Sequence, residues 1–433
     1  MTTSHSPAAQ ECRAASKPAE RRGALGLAQG TALYVAAVLG SGILVLPGDA
    51  IGRAGPAALV SLGVLLLVSM PLAIAFAALA GRFPDAGGVA TFAARAFGPR
   101  ASVVTGWWFY LGVPVGIPAL ALFGGSYVAA AAGGGDATRD VTAAVLTAIA
   151  IVTNAFGVSV SSRIQVGLTG VLLTGLIAAV VISAPRADAA HFVPFAPHGW
   201  SALVPAGLLL VWCFTGWEAV THLAGEFRDP ARDVRRATML ALVIVALVFL
   251  LVTAALAAVL GPLAGKSTAP VAALLSTSLG RTSAVAVACL ALLVTMGSLN
   301  AYVAGIAKLG SALGRDGGAP AWLAHGSAAG GVPRRSLAVT ALLSGGTLVF
   351  AVAGHVDGST LVLGCTAFQV AVYAMGLGAA LRLLPTRSAD WWAALVALLF
   401  ISALLALSWR YLLAPVALAL LALAYRSRRR RGR

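Results

Sequence analysis

Long apolar runs recur along the whole chain, and short polar segments separate them. Each run is near 20 residues, which is enough for an α-helix to cross roughly 30 Å of hydrocarbon. The runs lie at about residues 25–50, 56–80, 101 onward, 141–158, 164–184, 202–224, 239–260, 283–309, 336–353, 360–383, 391–407 and 411–425. The pattern therefore predicts an all-α membrane protein with about twelve transmembrane helices.

Two of these runs, the first and the sixth, are interrupted by small and polar residues. The interruptions are Gly40, Ser41, Gly42 and Ile43 in the first run and Phe214, Thr215, Gly216 and Trp217 in the sixth. A broken helix frees backbone N–H and C=O groups, which hydrocarbon tolerates only where they line a cavity or a ligand. Short gaps at matching places in two halves are a pointer to a transporter's binding site near the bilayer midplane.

The composition agrees with a membrane protein and gives an orientation. Hydrophobic residues make up 59% of the chain and charged residues only 10%, against about 25% charged in soluble proteins. The net charge of +16 would suit nucleic acid, but the positions of the charges argue against it. Of the 30 Lys and Arg residues, 24 fall in the tails and alternate loops of one side. By the positive-inside rule both termini are cytoplasmic, in a multi-pass protein of the inner membrane.

The basic C-terminal run, 428–431, suits anionic membrane lipid or topology better than a protein or nucleic-acid partner. At the other end, residues 1–24 form a polar cytoplasmic tail with no signal-cleavage pattern after it, so the first span is expected to be retained.

The two gaps divide the spanning region into comparable halves. Residues 25–185 form the first (spans 1–5) and residues 200–384 the second (spans 6–10), with two further spans in 390–425 and a basic tail from 426 to 433. Span 1 starts inside and span 6 outside, so the two broken helices run in opposite directions. That is the geometry of a 5+5 inverted repeat, here inferred from topology and the gaps alone.

Signatures of enzymes and cofactors are missing from the sequence. It contains no Walker A motif, no HExxH and no His/Cys cluster, and no nucleophile–base constellation stands out. Three of the four cysteines, Cys213, Cys289 and Cys365, fall inside apolar spans, which suits neither disulfides nor a metal site. We therefore expect neither catalysis nor a cofactor.

The glycines of the first gap have two interpretations. Gly40 and Gly42 each cost about 1 kcal/mol against alanine inside a helix. Small residues are common where membrane helices pack closely, which is the structural interpretation. The functional one is a local unwinding whose N–H groups, at a half-helix N-terminus, meet a carboxylate. The matching gap in the sixth span favours the functional interpretation.

Glu218 is the only acidic residue that the sequence interpretation places deep within a span. Inserting an acid there costs at least about 2.5 kcal/mol, so it is a functional candidate unless it is a protonated carboxyl bonded to a neighbouring helix. His222 follows one turn later on the same face. The pair can relay a coupling proton, although a lone histidine in a span is as often a structural hydrogen-bond donor.

Further polar and aromatic side chains at membrane depth are weaker candidates. Ser298 and Asn300 in span 8 and Tyr373 in span 10 have hydrogen-bonding capacity, but most such residues merely join helices, for about 0.6 kcal/mol each. Phe214 and Trp217 either gate the cavity or belong to the core, and the sequence leaves both open.

Several motifs resemble the amino acid–polyamine–organocation (APC) transporters. They are Gly26 to Gly30, Gly40 to Ile43 with Pro47, Pro84-x-Ala86-Gly87-Gly88, Ala96-Phe97-Gly98, Phe214-x-Gly216-x-Glu218 and Glu226-Phe227-x-x-Pro230. Shorter motifs resemble the bacterial exporters of methionine and branched-chain amino acids: Gly106-Trp107-Trp108, Pro114-Val115-Gly116, Trp212-Cys213-Phe214 and Ser298 to Tyr302.

The resemblance implies a LeuT-like fold and alternating access. It also implies that the first gap holds the substrate carboxylate and that carbonyls of the second hold the amino group. Two departures limit it: Arg235-Arg236-Ala237 stands where a proline before the basic residue is usual, and span 5 lacks the lysine of some proton-coupled relatives. Coupling then falls to Glu218, or no fixed ion is coupled.

The expected function is proton-coupled export of a neutral hydrophobic amino acid: methionine, leucine, isoleucine or valine. Two alternatives stay open at this point. One is an importer or exchanger with the same fold and another specificity, and the other is an amino acid sensor that moves nothing.

Overall fold

The computed structural model describes residues 25–84, 88–157, 162–218, 221, 224, 227–280, 282–325, 332–407 and 412–431. Helices dominate these residues. The β-structure among them is one isolated parallel bridge, between Leu25 and Phe227. The all-α class predicted from the apolar runs is confirmed.

The described residues of the first half form seven α-helices. They are α1 (Leu27–Leu39), α2 (Gly42–Ala54), α3 (Ala58–Arg82), α4 (Val89–Phe97), α5 (Pro99–Ala132), α6 (Asp136–Ala155) and α7 (Ser162–Ser183). The first two are the halves of the interrupted first span, and α4 is a short helix between two long ones.

The second half repeats this order of long and short elements. It contains α8 (Leu203–Val211) with a 3-10 turn (Trp212–Phe214), α9 (Pro230–Leu260), α10 (Pro270–Leu279), α11 (Thr282–Arg315), α12 (Arg334–Ala353) and α13 (Gly358–Leu383). Helices α5 and α11 both have 34 residues, and α6 and α12 both have 20. Two more helices follow, α14 (Ala389–Leu407) and α15 (Leu413–Arg431).

Helix lengths and hydropathy mark this as a membrane protein. Among the described residues, eight segments are long and apolar enough to span a bilayer. The longest, Leu27–Arg82, has 56 residues and contains α1, α2 and α3. At 1.5 Å per residue this length far exceeds a 30 Å hydrocarbon core, so the segment holds more than one crossing. The count of twelve crossings stays a prediction.

Several boundaries differ from those expected. Helix α9 begins at Pro230, well before the expected residue 239, because proline suits the first helical position and the Asp229 side chain caps the helix by accepting from the Arg232 N–H at 3.3 Å. Helix α10 was not anticipated, since ten residues are too few for a crossing. The sixth span was expected to reach residue 224, but its last described α-helical residue is Val211.

Tyr127 of α5 connects three helices near the C-terminal end of α5. Its hydroxyl donates to the Leu44 carbonyl of α2 at 2.6 Å and accepts from the Val271 N–H of α10 at 3.2 Å. Tyr127 is fully buried. The second half of the first broken span, α2, is thus held by the long helix α5 and by the short helix α10 of the second half of the chain.

Tyr127→Phe removes this hydroxyl and leaves the Leu44 carbonyl and the Val271 N–H without it. We expect the free energy of unfolding to fall by about 1–3 kcal/mol, the cost of an unsatisfied buried polar group. The melting temperature of the detergent-purified protein measures the change. Ser126→Ala is the matched control, because Ser126 donates only within its own helix, to Leu122 at 3.0 Å. Equal melting temperatures for both variants would contradict the bridging role of Tyr127.

Candidate substrate-binding site

The first span is interrupted at the residues where its glycines predicted a break. Helix α1 ends at Leu39, and α2 begins at Gly42. Gly40 has φ +44°, a conformation that glycine adopts without steric cost. Its N–H still donates to the Ala36 carbonyl at 3.1 Å, so the helix is intact up to that point. Ser41 then connects the two halves.

The second interruption follows the 3-10 turn after α8. Thr215 is extended, with φ −82° and ψ 140°, and both its N–H and its hydroxyl donate to the Trp212 carbonyl, at 3.0 and 2.8 Å. Gly216 has φ +132°. Between 215 and 227, the described residues are not α-helical; Thr221 and Ala224 have 3-10 geometry.

The two interruptions pack directly against each other. A β-carbon at Gly216 would lie 2.8 Å from the carbonyl oxygen of Ala37 in the last turn of α1. A β-carbon at Gly42 would lie 3.2 Å from the Trp212 ring. The rings of Tyr34 and Trp217 are 6.0 Å apart. Glycine at these positions therefore permits backbone-to-backbone contact between the two broken segments.

Glu218 lies at the centre of this contact and is completely buried. Its Oε2 accepts from the Gly216 N–H at 2.9 Å and from the hydroxyl of Tyr373 on α13. The Tyr373 oxygen also accepts from the Gly216 N–H at 3.1 Å. One carboxylate oxygen thus fixes the second break and joins it to α13, while no ion pair formed by the described residues includes Glu218.

Several buried polar groups around the breaks lack hydrogen-bond partners among the described residues. They are Ser41 Oγ, Trp217 Nε1 and Glu218 Oε1. The backbone N–H groups of Gly42 and Ile43, at the start of α2, have none either, because the first N–H groups of a helix face no preceding carbonyl. Each unsatisfied buried group costs about 1–3 kcal/mol. Five such groups in one place are the chemistry expected of a site for a polar guest.

The other sequence candidates divide into two groups. Ser298 lies beside the first break, since its Oγ is 3.7 Å from the position of a β-carbon on Gly40. Asn300 faces elsewhere: its side-chain oxygen accepts from Asn154 at 2.5 Å and from Thr153 at 3.1 Å, which joins α11 to α6. Asn300 thus has the helix-joining contacts that were its alternative interpretation. His222 lies outside the described residues.

Ile43 and Phe214 belong to the apolar surroundings of the breaks. Ile43 is fully buried, and the Phe214 ring lies 5.5 Å from that of Phe249 on α9. The residues of both interruptions are buried, apart from partly buried Gly40. Among the described residues of the two interruptions, none is exposed to solvent in this conformation.

Sequence reasoning missed a second acidic residue in a spanning segment. Asp49 lies on α2, partly buried, and accepts a hydrogen bond from Ser359 at the start of α13. The expected boundary at residue 50 had put Asp49 at the membrane edge. Its place only seven residues after Gly42, in the same helix, was the signal that would have found it. Tyr34 and Trp212 were also missed, because aromatic residues in apolar runs carry no distinguishing pattern.

These features define a polytopic α-helical membrane protein with two broken segments enclosing unpaired polar groups. A family model described as amino acid permease matches residues 25–422. The chain belongs to the amino acid permease family, and its resemblance to the APC transporters is confirmed.

Individual relatives cover different shares of the chain. An uncharacterised amino acid permease of Bacillus subtilis, YecA, is 34% identical over 90% of this chain and 92% of its own length. The L-methionine/branched-chain amino acid exporter YjeH of Escherichia coli is 37% identical over 52% of this chain and 54% of its own. The branched-chain amino acid permease BcaP of Bacillus subtilis is 25% identical over 53% of each.

Gly216→Ala tests the close contact between the breaks. The added methyl group would collide with the Ala37 carbonyl, and alanine disfavours a φ of +132°. We expect a marked fall in melting temperature and loss of substrate binding. Gly207→Ala in α8 is the control, because its nearest neighbour would be 3.9 Å away and alanine favours the helix by about 1 kcal/mol. Two variants equally stable would show that the breaks do not depend on this contact.

Proposed function

We propose that this protein is a secondary active transporter that exports neutral hydrophobic amino acids (methionine, leucine, isoleucine and valine) across the cytoplasmic membrane. The observation that carries the proposal is the set of unpaired, buried polar groups around Ser41, Trp217 and Glu218, where the two broken segments meet. A membrane protein maintains such a set at considerable cost, and a bound solute would remove that cost.

The chemistry of these groups fits a zwitterion. The free N–H groups of Gly42 and Ile43 stand at the positive end of the 13-residue helix α2, with the unpaired Ser41 hydroxyl beside them. This is a setting for a carboxylate. Across the contact, the free oxygen of Glu218 and the carbonyls of the second break suit an ammonium group. An α-amino acid carries both charges on one carbon.

The surroundings favour an apolar side chain. Ile43, Trp212 and Phe214 are buried next to the breaks and offer only hydrocarbon and aromatic surface. A cationic substrate would favour additional acidic groups, and Glu218 is the only acid described at the breaks. Two relatives, YjeH and BcaP, are named for methionine or branched-chain amino acids. YjeH is named as an exporter, which supports the proposed direction.

The proposed architecture is LeuT-like: two inverted repeats of five spans, with two spans appended. The recurring order of a broken span, a long helix, a short helix and helices of 34 and 20 residues supports it. Twelve crossings with both termini in the cytoplasm agree with the asymmetry of Lys and Arg. The burial of the described residues at the breaks supports alternating access, because a buried site must open to each side in turn.

A proton is the proposed coupling ion, and Glu218 its carrier. A carboxyl group that shares one oxygen with Gly216 and Tyr373 links its own protonation to the geometry of the second break. The other titratable side chains near Glu218 among the described residues are Tyr302, Cys365 and Tyr373, and none is acidic or basic near neutral pH. His222 stays a candidate partner of Glu218 in proton transfer.

The alternative function is uptake or exchange by the same fold. It is supported by relatives named as permeases, including BcaP. The residues at the site serve both directions equally, since the gradients set the direction of net movement.

Efflux from loaded proteoliposomes tests the substrate and the direction together. We expect labelled methionine and leucine to leave vesicles that contain the protein, faster when the proton gradient points inward, and arginine to stay. Empty vesicles and a Ser41→Ala variant, which lacks one of the unpaired groups, are the controls. Movement of arginine alone, or of no amino acid, would overturn the proposed function.

Glu218→Gln tests proton coupling. The amide preserves shape and the hydrogen bonds through one oxygen but cannot carry a proton at this position. Because the amide oxygen can still accept from the ammonium group but carries no charge, we expect exchange of leucine between the two sides to persist with a lower affinity, while acceleration of efflux by an inward proton gradient disappears.

The matched control for this experiment is Asp49→Asn, which removes the second acid of a spanning segment; among the described residues, the side chain of Asp49 bonds to Ser359 and to neither break. It should keep the response to the gradient. A Glu218→Gln protein that still responds normally to the gradient would end the coupling proposal and leave the binding site untouched.

A further inference from the structure

Gln369 of α13 is a buried amide whose polar atoms have no partners. It is 2% exposed, and neither its Oε1 nor its Nε2 forms a hydrogen bond among the described residues. A primary amide can donate two hydrogen bonds and accept two. Among the described side chains, it is the one that leaves both a donor and an acceptor atom unpaired in the interior.

The position of Gln369 on α13 places it on the helix face that meets the second break. Residues four apart on a helix lie on one face, about 40° apart around the axis. Cys365, one turn before, lies with Trp212 beside Gly116, where a β-carbon would touch both side chains. Tyr373, one turn after, donates to Glu218. Gln369 therefore lies between the residues that contact the start and the end of the second broken segment.

Other polar residues of this helix do not share the property. Thr366 is also buried, but its hydroxyl donates to the Val362 carbonyl one turn earlier, at 2.7 Å. Such back-bonding satisfies a short side chain inside a helix. The longer glutamine side chain reaches away from the backbone, and burying it unpaired is unfavourable. A ligand that supplied both partners would offset that cost.

We propose that Gln369 is a substrate-binding residue of the transporter. Its amide N–H groups donate to the α-carboxylate of the bound amino acid, and its oxygen accepts from the α-ammonium group. The inference rests on the function proposed above and adds a contact from α13, outside both broken segments. Since the contacted groups are common to all α-amino acids, Gln369 serves affinity for the zwitterion and does not select among side chains.

The test compares Gln369→Met with wild type and with Thr366→Val. Methionine keeps the length of the side chain and removes both polar functions, whereas Thr366→Val removes a hydroxyl that is already satisfied. Equilibrium binding of leucine and of methionine to the purified full chain is measured, together with the melting temperature with and without each amino acid.

We expect Gln369→Met to weaken binding of leucine and methionine by the same factor, about tenfold to a hundredfold, as for a hydrogen bond to a charged group. Its melting temperature without substrate should equal or exceed that of wild type, because an unpaired amide has left the interior. Thr366→Val should bind as wild type does.

Three results would overturn the role of Gln369. They are unchanged affinity in Gln369→Met, a loss confined to one of the two amino acids, and a lowered melting temperature without substrate, which would indicate a merely structural residue. A wild-type protein that binds neither amino acid would contradict the proposed function as well as this inference, so the two failures are distinguishable.

Discussion

The need to satisfy backbone hydrogen bonds away from water governs this structure. An uninterrupted helix meets that need within itself, and most of the chain does so. At Gly40 and at Thr215–Gly216 the helical hydrogen-bond pattern stops inside apolar segments. The two breaks differ in how far their backbone groups find other partners. The second break is largely satisfied from within, through Trp212, Glu218 and Tyr373. The first leaves the N–H groups of Gly42 and Ile43 without partners among the described residues. This inequality gives the site its polarity: donors on one side and a carboxylate on the other.

Close packing turns two separate interruptions into one site. Gly216 lies against the carbonyl of Ala37, and Gly42 lies against Trp212, so each break occupies the space that a side chain of the other would need. Helix α13 completes the arrangement from outside with Tyr373 and the neighbouring Gln369. Close-packed protein interiors do not deform smoothly; they shift between discrete packing arrangements. A site made of three such elements is suited to opening and closing as their relative positions change.

The sequence predicts the breaks better than it predicts their partners. Glycines around a serine in an apolar run, and an acid beside a second gap, are local signals, and both interruptions occur where those residues stand. Tyr373 was a weak candidate and lies at the centre, whereas Asn300, with the same status, joins α11 to α6. Tyr373 and Asn300 differ in whether their side of the helix packs against the breaks. A helix that is hydrophobic on all sides gives no sequence signal of which side that is. Gln369 and Asp49 were not predicted from the sequence for the same reason. Helix α10 was not predicted because it is too short to cross a membrane.

The proposed coupling of binding to conformational change depends on the hydrogen bonds of Glu218. One carboxylate oxygen is committed to Gly216 and Tyr373, so the second break and α13 are held at a fixed separation while those bonds persist. The other oxygen is free to accept from a guest or to take a proton. Either event redistributes charge over the whole carboxyl group and weakens its hold on the Gly216 N–H or the Tyr373 hydroxyl. A ligand can shift a conformational equilibrium only through a difference in how it interacts with the two states. In the proposed transporter, a carboxyl group that bonds to a broken helix and a neighbouring intact one, and also accepts from the solute, would provide that difference at a single residue.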